Sequence, residues 1–219
     1  MLEINRDLNS PEYQDLLKTV FSDKRERIIR FKRFEDAQRC LLGDVLLRKA
    51  IMDHIDLPVS LIKFAVNEYG KPFLENVPNF HFNLSHAGKY VACAVGDTSV
   101  GIDVEILDPI NLKIAERYFC GSETEYILSK PNEDQTKAFY EIWTKKEAYI
   151  KYKGKGLSIS LNTFNVLNLC SEVFFYRIYD DAQAICHVCS ESAEKPSTIY
   201  IAMNELLEAV YFKNIKTMR

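Results

Sequence analysis

The chain has 219 residues, a formal net charge of −3 and a hydrophobic content of 47%, and these values are typical of a globular protein. This length is sufficient for a substantial buried core, in one large domain or in two small halves. The small net charge argues against a protein whose whole surface wraps nucleic acid. No apolar run is long enough to cross a membrane, and the N-terminal residues lack the basic and apolar regions of a signal peptide. We therefore expect a cytoplasmic protein that binds neither nucleic acid nor a membrane.

The cysteines are spread along the whole chain: Cys40, Cys93, Cys120, Cys170, Cys186 and Cys189. Because we expect a cytoplasmic protein, we expect these to be free thiols. The last two have the CxxC spacing of many zinc sites, but no second Cys or His pair is present to complete the coordination. The alternating apolar residues around them favour an ordinary β-strand, so the sequence predicts no zinc site.

The first half of the chain begins with short helical stretches. Residues 24–33 contain six Lys or Arg residues. The usual interpretation of such a segment is a solvated helix face, and a local anion-binding pocket is the alternative. Farther along, apolar residues recur at helical spacing: Leu41, Leu42, Val45, Leu46 and Ile51. The sequence therefore predicts a longer helix that begins near residues 35–37.

Alternating apolar residues then predict strands over 62–66, 80–84, 90–95 and 100–105. Turns at 87–89 and 96–97 connect the last three of these strands. In the second strand, the polar residues His81, Asn83 and Ser85 fall on the face opposite to Phe82.

The second half begins with a helical patch in which Ser122 and Glu125 have the spacing of a capping box. A long helix is predicted from about Asp134 to Lys153, and Gly154 ends it. Strands are then predicted over 163–168, 173–179 and 184–190, followed by a short helix over 204–211.

Each half of the chain thus combines helices with an antiparallel meander, and this combination predicts an α+β fold. A regular alternation of strand and helix, as in a doubly wound sheet, is absent from the sequence pattern. The boundary between the halves is expected between Gly96 and Asp108. We therefore divide the chain into an N-terminal half, residues 1–102, and a C-terminal half, residues 103–219.

Two acidic residues, Asp103 and Glu105, lie two positions apart in the predicted strand 100–105. Because side chains alternate along a strand, both carboxylates point to one face, and Ile102 and Val104 point to the other. An isolated pair of this kind is commonly a solvated surface feature. Here the flanking residues are apolar and the strand is expected to be largely buried. Two like charges side by side are then costly unless a cation compensates them.

Glu147 and Lys151 are four residues apart on the predicted long helix and therefore share a face, which Trp143 continues. The plain interpretation is an exposed ion pair worth about 0.2–0.5 kcal/mol. The functional interpretation is that Glu147 supplies a third carboxylate to the acidic pair of the strand, with Lys151 one helical turn beyond it.

Two further candidate residues stand at turns. His86 ends a strand just before a turn, and Ser85 beside it can donate a hydrogen bond to an anion; a structural histidine is the common alternative. The turn of residues 69–72 presents Lys71, for which a solvated lysine is the default interpretation. The phosphate-binding motifs GxxxxGK[ST] and GxGxxG are absent, as is the GxSxG motif of a serine nucleophile.

Taken together, these segments resemble the Sfp-type 4′-phosphopantetheinyl transferases of the holo-carrier-protein synthase superfamily. The resemblance rests on three motifs in order: residues 82–86, residues 101–105, and residues 143–148 continuing to Lys151. Upstream, the LLGD sequence at 41–44 and the GKP sequence at 70–72 also match. The likeness covers roughly residues 20–160. The length fits members built of two halves rather than the half-length chains that assemble as trimers.

The resemblance implies the 4′-phosphopantetheinyl transferase fold: two similar halves related by a pseudo-twofold, each an antiparallel sheet with packed helices, and coenzyme A in the cleft between them. It implies a reaction that transfers the 4′-phosphopantetheine group from coenzyme A to a serine of an apo carrier protein and releases 3′,5′-ADP. The expected carriers are peptidyl, aryl or acyl carrier domains. We expect a cytoplasmic monomer that depends on Mg²⁺ and also accepts Mn²⁺.

By the same resemblance, the metal ligands are Asp103, Glu105 and Glu147, and the catalytic residues are Glu147, Lys151 and His86. Lys151 would neutralise charge on the departing 3′,5′-ADP. Contacts with coenzyme A are implied for a wider set: Lys24, Arg27, Arg39, Lys71, Ser85, His86 and Lys151. Two alternatives stay open for the general base, namely Glu147 acting through a water and a hydroxide held by the cation.

Two positions depart from the family pattern. Cys40 stands where related members often carry threonine, which removes a hydroxyl group, and Arg27 replaces a lysine, which keeps the charge in a forked geometry. By analogy, the carrier docks near Phe119 and the following helix. Two other classes of function are compatible with the acids: a Mg²⁺-dependent phosphohydrolase or nuclease, and a non-catalytic module that binds coenzyme A or carrier proteins.

Overall fold

The computed structural model of the chain describes residues 1–55, 61–169 and 172–209, apart from the side chains of residues 22, 23 and 157. The helices are α1 (Ser10–Thr19), α2 (Ser22–Ile29), α3 (Phe34–His54), α4 (Lys113–Tyr118), α5 (Gly121–Leu128) and α6 (Asn132–Lys153), with a further helical segment over 203–209. The strands are β1 (Leu2–Glu3), β2 (Phe64–Val66), β3 (Pro72–Leu74), β4 (His81–Ala87), β5 (Tyr90–Gly96), β6 (Val100–Ile106), β7 (Phe174–Asp180) and β8 (Ala184–Ser190). None of the helices in this described part is both long and apolar enough to span a membrane.

The chain divides into two compact units. The first contains Met1–Ile62, Leu84–Cys93 and the C-terminal segment from Thr198, and the second contains Lys63–Asn83 and Ala94–Ser197. Each unit combines helices with antiparallel strands, so the predicted α+β class is confirmed. The division of the chain at residue 102 stays a prediction.

The core of the first unit surrounds α3. The apolar residues of α3 that recur at helical spacing are all buried, which confirms the predicted helix. The sheet has the order β1-β5-β4, with Leu2 of β1 opposite Val91 of β5. The helical segment 203–209 adds its apolar residues to the same core. It corresponds to the helix predicted over 204–211, of which residues 210 and 211 lie outside the described part of the chain.

The second unit is built on an antiparallel sheet with the order β6-β8-β7. This order corrects the predicted meander, because β6 lies beside β8 and not beside β7. Helix α6 packs against β6 and β8. It begins at Asn132, two residues before the predicted start, and it ends as predicted at Gly154, whose φ of +65° terminates the helix in the left-handed conformation. Cys186 and Cys189 are buried free thiols on β8, so the ordinary strand predicted at the CxxC sequence is confirmed.

Strand β6 approaches α6 more closely than an intervening side chain would permit. A Cβ placed on Gly101 would lie 2.0 Å from the carbonyl oxygen of Ala148 and 2.4 Å from the amide nitrogen of Tyr152. Backbone therefore packs on backbone at this point, and only glycine leaves the necessary space. Asp103 and Glu105 follow Gly101 at intervals of two, so they share its face and are directed toward α6.

A buried ion pair joins α5 to α6. The ammonium of Lys146 lies 2.7 Å from the carboxylate of Glu123, and both side chains have 0% exposure. The ammonium also donates to the carbonyl oxygens of Leu161 and Phe164, and Glu123 accepts the backbone amide of Val166. The two charges are thus surrounded by hydrogen-bond partners, as a stable buried ion pair requires.

Two sequence predictions for this region are wrong. Residues 163–168 do not form a strand: a 3₁₀ helix, Leu161–Thr163, leads into turns, because backbone groups of this segment bond to the Lys146–Glu123 pair instead of to a neighbouring strand. The capping box of α5 lies two residues earlier than predicted. Cys120 is its N-cap residue, and Glu123 returns a hydrogen bond to the Cys120 amide.

We expect Gly101→Ala to destabilise the protein by about 3 kcal/mol, the upper end of the usual cost of overpacking, because the added methyl group overlaps backbone atoms of α6 that no side-chain rotation can move. Equilibrium unfolding in urea, followed by far-ultraviolet circular dichroism, measures the difference. Gly121→Ala is the matched control, since nothing lies within 4 Å of a Cβ at that position. A Gly101→Ala chain as stable as the wild type would show that the approach of β6 to α6 does not require glycine.

Candidate active site

The two acids of β6 lie on the face that α6 covers. Asp103 is buried, with an exposure of 3%, and Glu105 is partly exposed. Ile102 and Val104 occupy the opposite face of the strand, where both are buried. The predicted alternation is therefore confirmed, and the burial of the Asp103 carboxylate is costly unless a positive charge compensates it.

Helix α6 carries a compensating positive charge. The ammonium of Lys151 lies 2.6 Å from Oδ1 of Asp103 and donates to the carbonyl oxygen of Ile102 at 3.1 Å. The plain interpretation of the sequence offered Glu147 as the partner of Lys151, whereas the structure places Asp103 in contact with it. Because the Asp103 carboxylate is buried, this short charge-assisted hydrogen bond is stronger than an ion pair in solvent. Lys151 thereby links α6 to the acidic strand β6.

The indole of Trp143 orients Glu105. Its Nε1 donates a hydrogen bond to Oε1 of Glu105 at 3.2 Å. The indole ring stacks on Phe139, with ring centroids 5.8 Å apart, and it also packs against Phe119. Because these aromatic contacts fix the indole, Glu105 receives its hydrogen bond from a donor of fixed position.

Burial and mutual repulsion raise the pKa values of both glutamates. The pKa of Glu105 is raised to about 7, by burial first and then by the negative charge of Asp103, while the hydrogen bond from Trp143 acts in the opposite direction. The pKa of Glu147 is also raised, by burial first and then by Asp103, against the effect of Lys151. The three carboxylates therefore repel one another electrostatically, and an added positive charge would reduce this repulsion.

Carboxylate oxygens are the ligands that Mg²⁺ prefers in proteins, so the three acids are chemically suited to a hard divalent cation. In the described part of the chain, however, no group of three or more His, Cys, Asp or Glu side chains is arranged to hold a metal ion. The position of Lys151 offers a physical reason, because its ammonium lies against one of the carboxylates that such a cation would use. The three carboxylates therefore suit a divalent cation chemically, but in this structure the ammonium of Lys151 is bound to Asp103.

Strand β4 supplies a residue whose role the sequence analysis did not identify. Asn83 is buried, and its side-chain oxygen accepts the backbone amide of Ile102 at 2.9 Å. Because Ile102 immediately precedes Asp103, this hydrogen bond to Asn83 fixes the backbone of β6 next to Asp103. Asn83 lies in the family motif at 82–86, but the sequence cannot reveal a bond to a strand 19 residues away.

In the first unit, Lys24 belongs to a charge cluster around Asp44. Its ammonium lies 2.9 Å from Asp44, and the guanidinium of Arg48 lies 2.6 Å from the other carboxylate oxygen. Although burial raises the pKa of Asp44, the positive charges of Lys24 and Arg48 hold it below its ordinary value. The aspartate of the LLGD sequence thus anchors Lys24 to α3.

The remaining cationic and polar candidates of the first unit have varied surroundings. Arg27 is exposed, and Arg39 is partly buried and donates to the carbonyl oxygen of Gly88 at 2.9 Å. Ser85 is buried and His86 is exposed. The coenzyme A contacts of these residues stay predictions.

Lys71 belongs to the second unit, and it is not a solvated lysine of a plain turn. Its ammonium donates to backbone carbonyl oxygens around the end of α6. The structure therefore brings together Asp103, Glu105, Glu147 and Lys151 between β6 and α6, with Lys71 bound to the backbone at the end of the same helix.

His187 is a buried polar residue of the same unit that the sequence analysis treated only as part of a strand. It lies opposite Asp103 in the β6–β8 register and is 1% exposed. Its Nδ1 lies 2.8 Å from the hydroxyl of Thr144 on α6. His187 lies beside the acidic strand because of the pairing register of β6 and β8, and this register cannot be predicted from the sequence pattern.

Comparison with known proteins agrees with the motifs of this site. Residues 99–202 match the family ACPS, the 4′-phosphopantetheinyl transferase superfamily, and residues 8–98 match a family described as 4′-phosphopantetheinyl transferase, N-terminal. The chain is 39% identical to the 4′-phosphopantetheinyl transferase Sfp of Bacillus subtilis (strain 168) over 203 residues, which are 93% of this chain and 84% of that protein. It is 42% identical to psf-1 of Bacillus pumilus over 81% of this chain and 72% of that protein. It is 34% identical to gsp of Aneurinibacillus migulanus over 91% of this chain and 78% of that protein; both are also 4′-phosphopantetheinyl transferases.

An α+β fold with these motifs in this order defines a phosphopantetheinyl-transferring enzyme. The chain belongs to the 4′-phosphopantetheinyl transferase superfamily. The resemblance stated from the sequence is thereby confirmed, whereas the roles of individual site residues stay predictions.

The buried state of His187 should couple stability to pH. Burial first, and then the positive charge of Lys145, lower the pKa of His187 to about 3, whereas a histidine of an unfolded chain has a pKa of about 6.5. Between these two values only the unfolded chain takes up the proton. This residue therefore makes stability fall as the pH decreases from about 6.5 toward about 3, by at most about 1.4 kcal/mol per pH unit.

We expect His187→Gln to reduce this pH dependence, because glutamine does not titrate and can still hydrogen-bond to Thr144. Urea unfolding between about pH 7 and about pH 5 measures the slope. The wild type in the same buffers gives the reference slope. Parallel curves for His187→Gln and the wild type would contradict the prediction.

Proposed function

We propose that the chain transfers the 4′-phosphopantetheine group from coenzyme A to a serine of an apo carrier protein, in a Mg²⁺-dependent reaction that releases 3′,5′-ADP. The observation that carries this proposal is the approach of β6 to α6. It sets Asp103, Glu105 and Glu147 near enough for the negative charge of Asp103 to raise the pKa of each glutamate. A reaction at a phosphate group needs such a place for positive charge.

The proposed ligands of the cation are Asp103, Glu105 and Glu147. When bound, Mg²⁺ supplies positive charge that neutralises the coenzyme diphosphate and polarises the phosphorus under attack. Mn²⁺ is proposed to be accepted as well, because it prefers the same oxygen ligands. Trp143 contributes by holding the carboxylate of Glu105 in one orientation.

Two side chains of α6 would act on the reacting groups. Lys151 would leave Asp103 to neutralise the negative charge that develops on the departing 3′,5′-ADP. Glu147 is the proposed general base and would take the proton of the carrier serine through a water. Without a cation, burial and then the charge of Asp103 raise the pKa of Glu147, whereas a cation bound to this carboxylate would lower that pKa.

Binding of coenzyme A requires further positive charge, because its phosphates carry about four negative charges at neutral pH. We propose that Lys24, Arg27, Arg39, Ser85 and His86 supply contacts to these phosphates. Support for Lys24 comes from its ion pair with Asp44 of α3, which fixes the position of the ammonium.

The proposed partners are peptidyl, aryl or acyl carrier domains, and the proposed state is a cytoplasmic monomer. The docking surface expected near Phe119 needs one correction, because Phe119 is 5% exposed and stacks on Phe139. Its neighbour Tyr118 is 41% exposed. A carrier that docks there would therefore contact Tyr118 and the exposed residues of α5.

The transfer is tested by mixing the protein with coenzyme A, Mg²⁺ and an apo carrier protein and measuring the intact mass of the carrier. We expect the mass of one phosphopantetheine group to be added. Asp103→Ala and Glu147→Gln should each slow the transfer by at least about 100-fold, because each removes a carboxylate from the reacting centre. Glu133→Gln, at an exposed glutamate in the first turn of α6, should keep the wild-type rate. Unmodified peptidyl, aryl and acyl carriers after incubation with the wild type would refute the proposal.

The contact of Lys151 with Asp103 predicts competition with the cation. Without coenzyme A, we expect Lys151→Met to bind Mn²⁺ at least about tenfold more tightly than the wild type, because an ammonium no longer occupies Asp103. The electron paramagnetic resonance signal of free Mn²⁺ measures the binding. Lys155→Met, at an exposed lysine just beyond α6, is the control. Equal affinities of the wild type and Lys151→Met would rule out competition.

A further inference from the structure

The turn between β2 and β3 carries a lysine whose charge is directed at the backbone. The ammonium of Lys71 donates to the carbonyl oxygens of Lys151 at 2.6 Å, Val100 at 3.1 Å and Tyr152 at 3.3 Å. An ammonium has three N–H donors, so these carbonyl oxygens account for all of them. Burial lowers the pKa of Lys71 to about 8, and the group therefore remains mostly protonated at neutral pH.

Two of these carbonyl oxygens, those of Lys151 and Tyr152, belong to the end of α6, and the Tyr152 oxygen also accepts the Ser99 hydroxyl at 2.7 Å. The last four carbonyl groups of an α-helix have no acceptor role within the helix, and Lys151 and Tyr152 lie in the last turn of α6, just before Gly154. A positive charge at this end also interacts favourably with the helix dipole. Lys71 therefore acts as a C-terminal cap of α6 that is supplied by a different part of the chain.

A second residue of the same turn completes the cap. The side-chain amide of Asn67 donates to the carbonyl oxygen of Gly154 at 2.8 Å. The side-chain oxygen of Asn67 accepts the backbone amides of Tyr69 and Lys71, which fixes the shape of the turn. The approach is close, since a Cβ on Gly154 would lie 2.9 Å from Cδ of Lys71.

The cap connects directly to the acidic site. Lys151, whose carbonyl oxygen is bound by Lys71, is the residue whose ammonium contacts Asp103. Val100, which the Lys71 ammonium also binds, begins the strand that carries Asp103. One ammonium thus fixes the backbone at both ends of the Lys151–Asp103 contact.

We propose that Lys71, with Asn67, is a positioning residue: it holds the last turn of α6 against the start of β6 and thereby sets the position of Lys151. This proposal rests on the proposed function, and it assigns Lys71 a different role from the coenzyme contact that the family resemblance implies. A lysine that binds coenzyme A would mainly affect coenzyme affinity. A lysine that positions Lys151 affects the turnover rate of a coenzyme-loaded enzyme.

Kinetics and binding separate these roles. For Lys71→Met we expect kcat to fall by about 10- to 100-fold, as a small misplacement of a reacting group does. The KM for coenzyme A and the Kd for 3′,5′-ADP, measured by titration calorimetry, should stay within about twofold of the wild type. Asn67→Ala should lower kcat in the same way, although the resemblance gives Asn67 no contact with coenzyme A. Lys63→Met, at an exposed lysine beside β2, is the matched control and should keep the wild-type kcat.

A raised Kd for 3′,5′-ADP with an unchanged kcat in Lys71→Met would overturn the positioning role in favour of a coenzyme contact. Hydrogen exchange tests the cap without catalysis. Amides of residues 151–154 should exchange faster in Lys71→Met and Asn67→Ala, while those of residues 140–146 keep the wild-type rate. Wild-type protein that transfers nothing to any carrier would refute the proposed function, and the exchange result would still decide the cap. An unchanged exchange rate of the amides of residues 151–154 in both variants would overturn the capping role of Lys71.

Discussion

The backbone contact between β6 and α6 at Gly101 is the constraint on which the site depends. Strands and helices usually pack through side chains, which hold their axes about 10 Å apart. At Gly101 that spacer is missing, because a Cβ there would overlap the backbone at Ala148 and Tyr152. The acids that follow on the same face of β6 are therefore directed at the helix and lie near its surface. Glycine at position 101 is therefore required by packing, and the closeness of the acids to α6 follows from it.

The short distance between β6 and α6 brings like charges together, and Lys151 compensates part of this negative charge. Three carboxylates share one partly buried region, and burial first, then the negative charge of Asp103, raises the pKa values of Glu105 and Glu147. Lys151 compensates the most buried of the acids, Asp103. The ammonium compensates the Asp103 charge within the chain, and the proposed function would require it to give way to a divalent cation when the lysine has another negative charge to bind. The phosphates of coenzyme A would provide that charge, which would make binding of the cation and of the coenzyme mutually favourable.

The sequence predicted well whatever depends on local periodicity. It located α3, α6 and the strands β4 to β8 with small errors at their ends, and the alternation of residues along β6 put both acids on one face. It failed where a distant charge decides the structure. Residues 163–168 have the apolar pattern of a strand, but the buried Lys146–Glu123 pair binds their backbone. The same limit applies to Asn83, Lys71 and His187, because each bonds to an element far away in the sequence and no local pattern records such a partner.

The lysines of α6 show why composition alone cannot assign such roles. Lys145, Lys146 and Lys151 lie within two turns of one helix, yet each has a different acidic partner. Lys145 pairs with Glu141 on its own helix, Lys146 with Glu123 on α5, and Lys151 with Asp103 on β6. The rotation of about 100° per residue directs neighbouring side chains to different surroundings. The three lysines of the motif WTKKEAYIK therefore point in three directions, and Lys151 is the one that the rotation of the helix turns toward the acidic strand.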